Sequence, residues 1–311
     1  MKTDKIIKIG SRGSKLALWQ ANWVKSELAK IHKNIIFEIV IIKTKGDKIL
    51  DSPLSKIGDK GLFTKEIEKA LLNNEVDLAV HSLKDLPTGM QKGLSIGAIS
   101  KRGNAQDVFV GKHNITLDKI EEGAVIATGS LRRKSQLLHY RSDFNIVDIR
   151  GNVQTRLKKL DKSDYTGMIM AGVGLERMGL EDRITQYIPF NVMLPAVGQG
   201  ALGVEVREDD EEIQDLIKCI NDEESSITTG AERAMLKRLE GGCQIPIGAL
   251  GTVNNNKLIL EGIVASIDGK KSIRDEVTGE LGEWESLGNK LAEILLENGG
   301  REILDSIRKE N

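Results

Sequence analysis

Short apolar runs rich in β-branched residues alternate with amphipathic helical stretches through most of this chain, and the alternation then starts again. Residues 5–10 read as a strand, followed by a helix through 16–24, a strand over 35–44, a helix over 65–72 and a strand over 76–81. The series restarts with a strand over 125–128, a helix over 131–140, a strand over 145–149, a helix over 153–160 and a strand over 166–171. Strands that return through helices to run side by side are covered on both faces, so the pattern specifies α/β domains with largely parallel sheets. Two such series imply two related domains facing each other across a cleft. Beyond residue 230 the character changes. A helix through Glu232-Arg233-Ala234-Met235-Leu236 precedes alternating segments over 258–265 and 271–278 and a closing helix, which reads as a small α+β domain. At 311 residues the chain is long for one core. The expected division is 1–99 with 200–218, then 100–199, then 219–311.

The bulk numbers exclude several classes of function. The 45 basic and 46 acidic residues nearly cancel, so any basic site has to come from clustering. With aromatic content of 4% there are few platforms for stacking bases, which argues against a nucleic-acid partner. No stretch reaches the apolar length of a membrane span, and the first residues run into a strand without a secretory apolar region, so the expected compartment is the cytoplasm. The two cysteines, Cys219 and Cys243, and the four histidines show no zinc spacing, and no metal is expected. Cys219, on a helix next to Ile220, reads as a small core residue.

Three features carry chemistry. Leu239-Glu240-Gly241-Gly242-Cys243-Gln244-Ile245-Pro246 presents a thiol on a glycine-preceded turn whose exit is fixed by proline. Such a thiol is a nucleophile, a metal ligand, half of a disulfide or a covalent anchor. Next, Ser11-Arg12-Gly13-Ser14, Thr128-Gly129-Ser130-Leu131-Arg132-Arg133 and Arg150-Gly151-Asn152-Val153-Gln154-Thr155-Arg156 each stand where a strand gives way to a helix. Helix N-termini at strand ends favour anions, and arginine suits two-point contact with carboxylates. One such unit would read as a solvated cap; three read as a polyanion site. Last, His81-Ser82-Leu83-Lys84-Asp85-Leu86-Pro87 closes a buried strand, and places a carboxylate at its end. Asp85 either pairs with Lys84, caps the next turn, or stabilises developing positive charge and shuttles protons. The polar stretch 46–61 is a lid candidate. No dinucleotide fingerprint or P-loop is present, since Gly172-Val173-Gly174-Leu175-Glu176-Arg177-Met178-Gly179 has the wrong spacing.

These segments, with Leu16-Ala17-Leu18-Trp19-Gln20-Ala21, Lys45-Gly46-Asp47, Gly61-Leu62-Phe63-Thr64-Lys65-Glu66 and Pro195-Ala196-Val197-Gly198-Gln199-Gly200-Ala201, resemble the porphobilinogen deaminase (hydroxymethylbilane synthase) family in one order over essentially the whole chain. The resemblance implies a transferase of tetrapyrrole biosynthesis that joins four porphobilinogen molecules into hydroxymethylbilane. It implies a dipyrromethane cofactor held by Cys243 through a thioether, and Asp85 as the catalytic carboxylate. Lys84, Ser130, Arg132, Arg133 and Arg150 would bind the cofactor, and Arg12, Ser14, Arg156, Arg177 and Gln199 the substrate. Lys56, Lys60 and Phe63 would belong to the lid, although Phe63 read alone is a core residue. Gly129 stands where the family often has a second hydroxyl. The implied fold is two doubly wound domains like those of periplasmic anion-binding proteins plus the cysteine-bearing domain, and the implied state is a monomer.

Two other readings compete: a non-catalytic anion-binding protein, which leaves Cys243 unexplained, and a cysteine-nucleophile hydrolase, which needs a histidine base. Intact mass separates them. Cys243→Ser is expected to yield protein without the two-ring adduct and without product, whereas Cys219→Ser keeps both; the reverse pattern would overturn the assignment.

Overall fold

A computed structural model describes residues 5–48, 61–112, 115–239 and 245–310. These fall into two compact units, the first made of 5–48, 61–103 and 198–226, the second of 104–112, 115–197, 227–239 and 245–310. The chain passes from the first unit to the second after Gly103 and returns at Gly198.

Strands are numbered in chain order. In the first unit, β1 (Lys5–Ser11), β2 (Ile35–Ile41), β3 (Leu78–Ser82), β4 (Leu94–Ile99) and β10 (Leu202–Arg207) form one sheet in the order β2-β1-β3-β10-β4. β1 runs parallel to β2 and β3, while β10 is antiparallel to both β3 and β4. One face buries Ile7, Ile9, Phe37, Val80 and Val204 against Ala21, Val24 and Leu28 of the helix Lys15–Ile31. The other packs Ala79 and Leu94 against Ile67, Ala70 and Leu71 of the helix Lys65–Leu72. Apolar side chains on both faces explain why β3 reads as a continuous hydrophobic run.

The second unit repeats the plan. Here β5 (Asp107–Gly111), β6 (Val125–Ala127), β7 (Asn145–Val147), β8 (Gly167–Ala171) and β9 (Gln186–Tyr187) are ordered β7-β6-β8-β5-β9. β6 is parallel to β7 and β8, and β5 is antiparallel to β8 and pairs with β9. The same unit holds an antiparallel meander of β11 (Ile247–Asn254), β12 (Lys257–Ala265) and β13 (Ser272–Glu280). It packs through Ala249, Leu258, Leu260 and Val277 on the helices that contribute Ala231, Met235, Leu291 and Ile303.

The expectation of largely parallel sheets needs a correction, because each five-stranded sheet is mixed. β5 is the first strand after the outward crossing and β10 the first after the return. Each enters its sheet between two existing strands at the edge where the chain crosses, and so runs against β8 or β3. The return turn is tight: Gly198 and Gly200 have φ of 73° and 100°. A Cβ on Gly200 would lie 2.6 Å from the Gly103 carbonyl oxygen, so only glycine fits.

β10 also buries a charge. Glu205 is 0% exposed and its carboxylate lies 3.1 Å from Nε2 of His81 on β3. The two are not aligned for a hydrogen bond, and neither Glu205 oxygen has another partner among the described residues. Glu68, on the helix above, is pushed up from the usual carboxylate range by burial, with Glu205 adding to the effect. Removing one member of a buried pair strands the other. His81→Leu should therefore cost about 3–5 kcal/mol, and His81→Leu with Glu205→Leu far less, as read from urea midpoints. Equal losses for the single and double variants would show that the two side chains are not coupled.

Candidate active site

In the second unit the parallel strands β7, β6 and β8 are neighbours, so the residues just beyond their carboxyl ends share one edge of the sheet. Arg150 follows β7, Ser130 with Arg132 and Arg133 follows β6, and Arg177 follows β8. Open α/β sheets take ligands at this edge. β5 runs the other way, which brings its first residue, Asp107, opposite Ala171 at the end of β8 and to the same edge.

Three of the helices that start at the carboxyl edges of the sheets share one feature. Ser14, Ser130 and Asn152 cap the helices Lys15–Ile31, Leu131–Tyr140 and Val153–Lys162 by accepting from the amides of Ala17 (3.2 Å), Arg133 (3.4 Å) and Thr155 (2.9 Å). None of the three has an acidic residue in its first turn. The helices Glu211–Ile217, Glu223–Arg238, Trp284–Leu295 and Arg301–Glu310 all do, and so does Lys65–Leu72, which leads from β2 to the parallel β3 and starts at the carboxyl edge of the first sheet. Acids there favour a helix, and arginines oppose it. Arg132, Arg133 and Arg156 thus sit where cations are unfavourable to the helix and where an external anion offsets that cost.

Arg132 and Arg133 are 5% and 6% exposed. Arg132 Nη1 donates to Asp107 Oδ2 and to the Leu194 carbonyl, both at 2.7 Å. Its Nε and Nη2 have no partner among the described residues. Arg133 is fully engaged: Nε and Nη2 donate to Asp107 Oδ1 at 3.1 and 2.8 Å, and Nη1 to the Ile169 carbonyl at 3.2 Å. Burial pulls the Arg132 guanidinium below its ordinary range while Asp107 opposes the shift. Arg177 is drawn down to about 10 by burial, with Glu176 pulling the other way, and stays charged at neutral pH. Arg156 Nε donates to the Gly151 carbonyl at 2.8 Å, which holds the side chain against the start of its own helix. Arg150 is half-buried just before that helix.

The first unit presents the equivalent edge. Arg12 follows β1, and its guanidinium lies 4.2 Å from the centroid of the half-buried Phe63 ring. Beyond β3 the chain makes a short turn, Leu83–Asp85. Lys84 Nζ donates to Oε1 of the buried Gln199 at 3.1 Å, and Arg102 Nε donates to the Gln199 carbonyl at 2.8 Å. Asp85 is exposed and has no hydrogen bond or ion pair among the described residues. It neither pairs with Lys84 nor caps a helix, so the two structural readings of this carboxylate are excluded within the described residues.

Residues 7–215 match the family described as "Porphobilinogen deaminase, dipyromethane cofactor binding domain", and residues 226–297 "Porphobilinogen deaminase, C-terminal domain". A porphobilinogen deaminase of Pelotomaculum thermopropionicum is 53% identical over 98% of this chain and 97% of its own length. Another, from Carboxydothermus hydrogenoformans, is 52% identical over 100% of this chain and 99% of its own length. The chain belongs to the porphobilinogen deaminase family. Among solved structures it overlaps the periplasmic VFT2 domain of Bordetella pertussis BvgS at 11% identity, covering 69% of this chain and 86% of that one, with a TM-score of 0.43. A TRAP periplasmic solute binding protein from Desulfovibrio salexigens gives 11% identity, 76% and 78% coverage and a TM-score of 0.42. The α/β class rests on the strand order itself, which is the same in both units, with a small antiparallel sheet added to the second.

A porphobilinogen deaminase needs a polyanion cradle for a dipyrromethane, whose side chains are carboxylates. The arginine-bearing helix starts, free of acids, fit that group. Cys243, Lys56 and Lys60 lie outside the described residues. Cys219 is corrected: it is exposed, because the turn Lys218–Ile220 puts Ile220 into the core and rotates the thiol outward. Among the described residues no group of three His, Cys, Asp or Glu is placed to hold a metal, and no helix is long and apolar enough to cross a membrane. Sequence reasoning missed Asp107, whose only trace is a carboxylate opening the apolar run Val108-Phe109-Val110, and it missed Gln136, which leaves no trace beyond its helix. Asp107→Asn leaves two buried guanidiniums short of charge. It is expected to lower stability by about 3–5 kcal/mol in thermal unfolding and to impair activity, and unchanged stability would show the pair to be held otherwise.

Proposed function

We propose that the two sheet edges divide the work of this porphobilinogen deaminase. The edge of the second unit holds most carboxylates of the cofactor and growing chain, and the edge of the first adds Arg12, Ser14, Lys84 and Gln199 and carries the acid–base group. The reaction is that of the family: four porphobilinogen molecules are deaminated and joined head to tail into hydroxymethylbilane, in tetrapyrrole biosynthesis. The observations that support this reading are the arginines around the acid-free helix starts of the second unit and the exposed Asp85 just beyond β3 of the first.

In this reading Ser130, Arg132, Arg150 and Lys84 hold the dipyrromethane, with Arg133 setting the position of Arg132 through the shared Asp107. When bound through Cys243, that group supplies the pyrrole carbon to which the first substrate ring is joined. Arg12, Ser14, Arg156, Arg177 and Gln199 take substrate carboxylates, and Phe63 keeps Arg12 in place by lying under its guanidinium. Ser14 and Ser130 contribute mainly by capping, which aims helix amides at the edge. Asp85, unpaired and accessible, gives a proton to the departing amine and accepts one after ring coupling. Its charge also lowers the barrier, because positive charge on the substrate grows as ammonia leaves. Lys84, tied to Gln199, stays beside Asp85 without neutralising it. The finer parts of the reading are a monomer, a cytoplasmic site of action, and a functional division into 1–99 with 200–218, 100–199 and 219–311, the last carrying Cys243.

Asp85→Asn keeps shape and removes charge. Single-turnover rates with intact cofactor should fall about 100- to 10,000-fold while substrate binding largely persists. Asp85→Glu should retain a small residual rate with partly elongated chains visible by mass. A normal rate for Asp85→Asn would leave this carboxylate without a catalytic role.

A further inference from the structure

Gln136 is 2% exposed on the helix Leu131–Tyr140, one turn after Arg132. Its amide grips both backbone groups of one distant residue: Oε1 accepts from the Leu194 amide at 2.8 Å, and Nε2 donates to the Leu194 carbonyl at 3.1 Å. That carbonyl also accepts from Arg132 Nη1 at 2.7 Å. A carbonyl has two lone pairs, and here each has one donor. Nε2 lies 3.4 Å from the Arg132 carbonyl as well, so Gln136 touches both partners of that bond. The next residue, Pro195, accepts from the amide of Ala249 on β11 at 3.0 Å.

We propose that Gln136 is a positioning residue for Arg132: by clamping Leu194 it fixes the carbonyl that, with Asp107, locks one nitrogen of the guanidinium and leaves the opposite edge aimed at a ligand carboxylate. Asp107 alone meets Nη1 at one point, about which the planar group can swing; the Leu194 carbonyl supplies the second point that fixes its plane. The same clamp ties the arginine helix to the strand β11 of the meander through Leu194 and Pro195. This inference rests on the reading that Arg132 holds a carboxylate of cofactor or substrate.

The test uses Gln136→Met, which keeps volume and removes both bonds, and Gln136→Glu, which keeps the acceptor for the Leu194 amide and removes the donor to its carbonyl. Arg132→Lys and the double variant Arg132→Lys/Gln136→Met complete a cycle. Two readouts apply: the fraction of purified protein carrying the two-ring adduct by intact mass, and KM and kcat for porphobilinogen. Both Gln136 variants are expected to lower the adduct fraction and raise KM by about tenfold, with kcat changed less. Arg132→Lys should share the defect, and the double variant should be no worse than Arg132→Lys alone, because Gln136 acts only through Arg132. If Gln136→Met does not fold, Gln136→Glu carries the test. Wild-type values for folded Gln136 variants beside an impaired Arg132→Lys would overturn the proposal and leave the role of Arg132 intact. Wild-type values for Arg132→Lys as well would overturn both. Defects that multiply in the double variant would show that Gln136 acts by another route.

Discussion

One carboxylate without access to water holds the arginine-bearing edge together. Asp107 lies between two buried guanidiniums that repel each other in a medium far less screening than water. Because β5 runs against its neighbours, this carboxylate opens its strand at the very edge where the parallel strands end. Arg133 then reaches across to the Ile169 carbonyl of β8, and Arg132 to Leu194. Strand, helix and a distant loop are thereby fixed to a single ionic centre. A direct ladder of arginines without it would place like charges side by side in the interior at a cost of several kcal/mol.

The mixed sheets give the two units one plan and different contents. Both put a residue at the start of the antiparallel strand or just before it: Asp107 at the start of β5, Gln199 shortly before β10. In one unit that position gathers cations, and in the other it holds Lys84 next to an acid that has no partner among the described residues. Glu205 and His81 face each other deeper in the sheet, on β10 and β3.

Much of this was legible in the residues. The helix over 131–140 and the helix over 65–72 coincide with their observed bounds, because polar caps and apolar spacing mark both ends. β10 was not read, since Gly203 and Glu205 interrupt its apolar run, and Glu205 is tolerated only because His81 arrives from 124 positions earlier. β4 and β5 escape for a related reason: their partners are remote, and short strands have weak local signals, whereas β11 pairs with the adjacent β12 and is hidden by its glycines, Gly248 and Gly251. The arginines at Ser130–Arg133 stand out by their place after a strand, but that all three nitrogens of Arg133 are engaged and only Nη1 of Arg132 depends on Asp107, Ile169 and Leu194, which no spacing announces. Asp85 was placed at a strand end from pattern alone, whereas its lack of any partner among the described residues is a property of three-dimensional surroundings.

The helix starts at the sheet edges have a consequence for engineering. A designer seeking a hardier protein would add glutamates to first turns lacking them, for instance Gln154→Glu on the helix Val153–Lys162, for a gain of about 0.3–1 kcal/mol each. In this chain the same change would set a negative charge beside Arg150 and Arg156 and occupy the place of the ligand. If these helix starts hold carboxylates as proposed, they are a reserve of instability that binding releases, and thermostabilised versions have to find their gains elsewhere, in the meander and its helices.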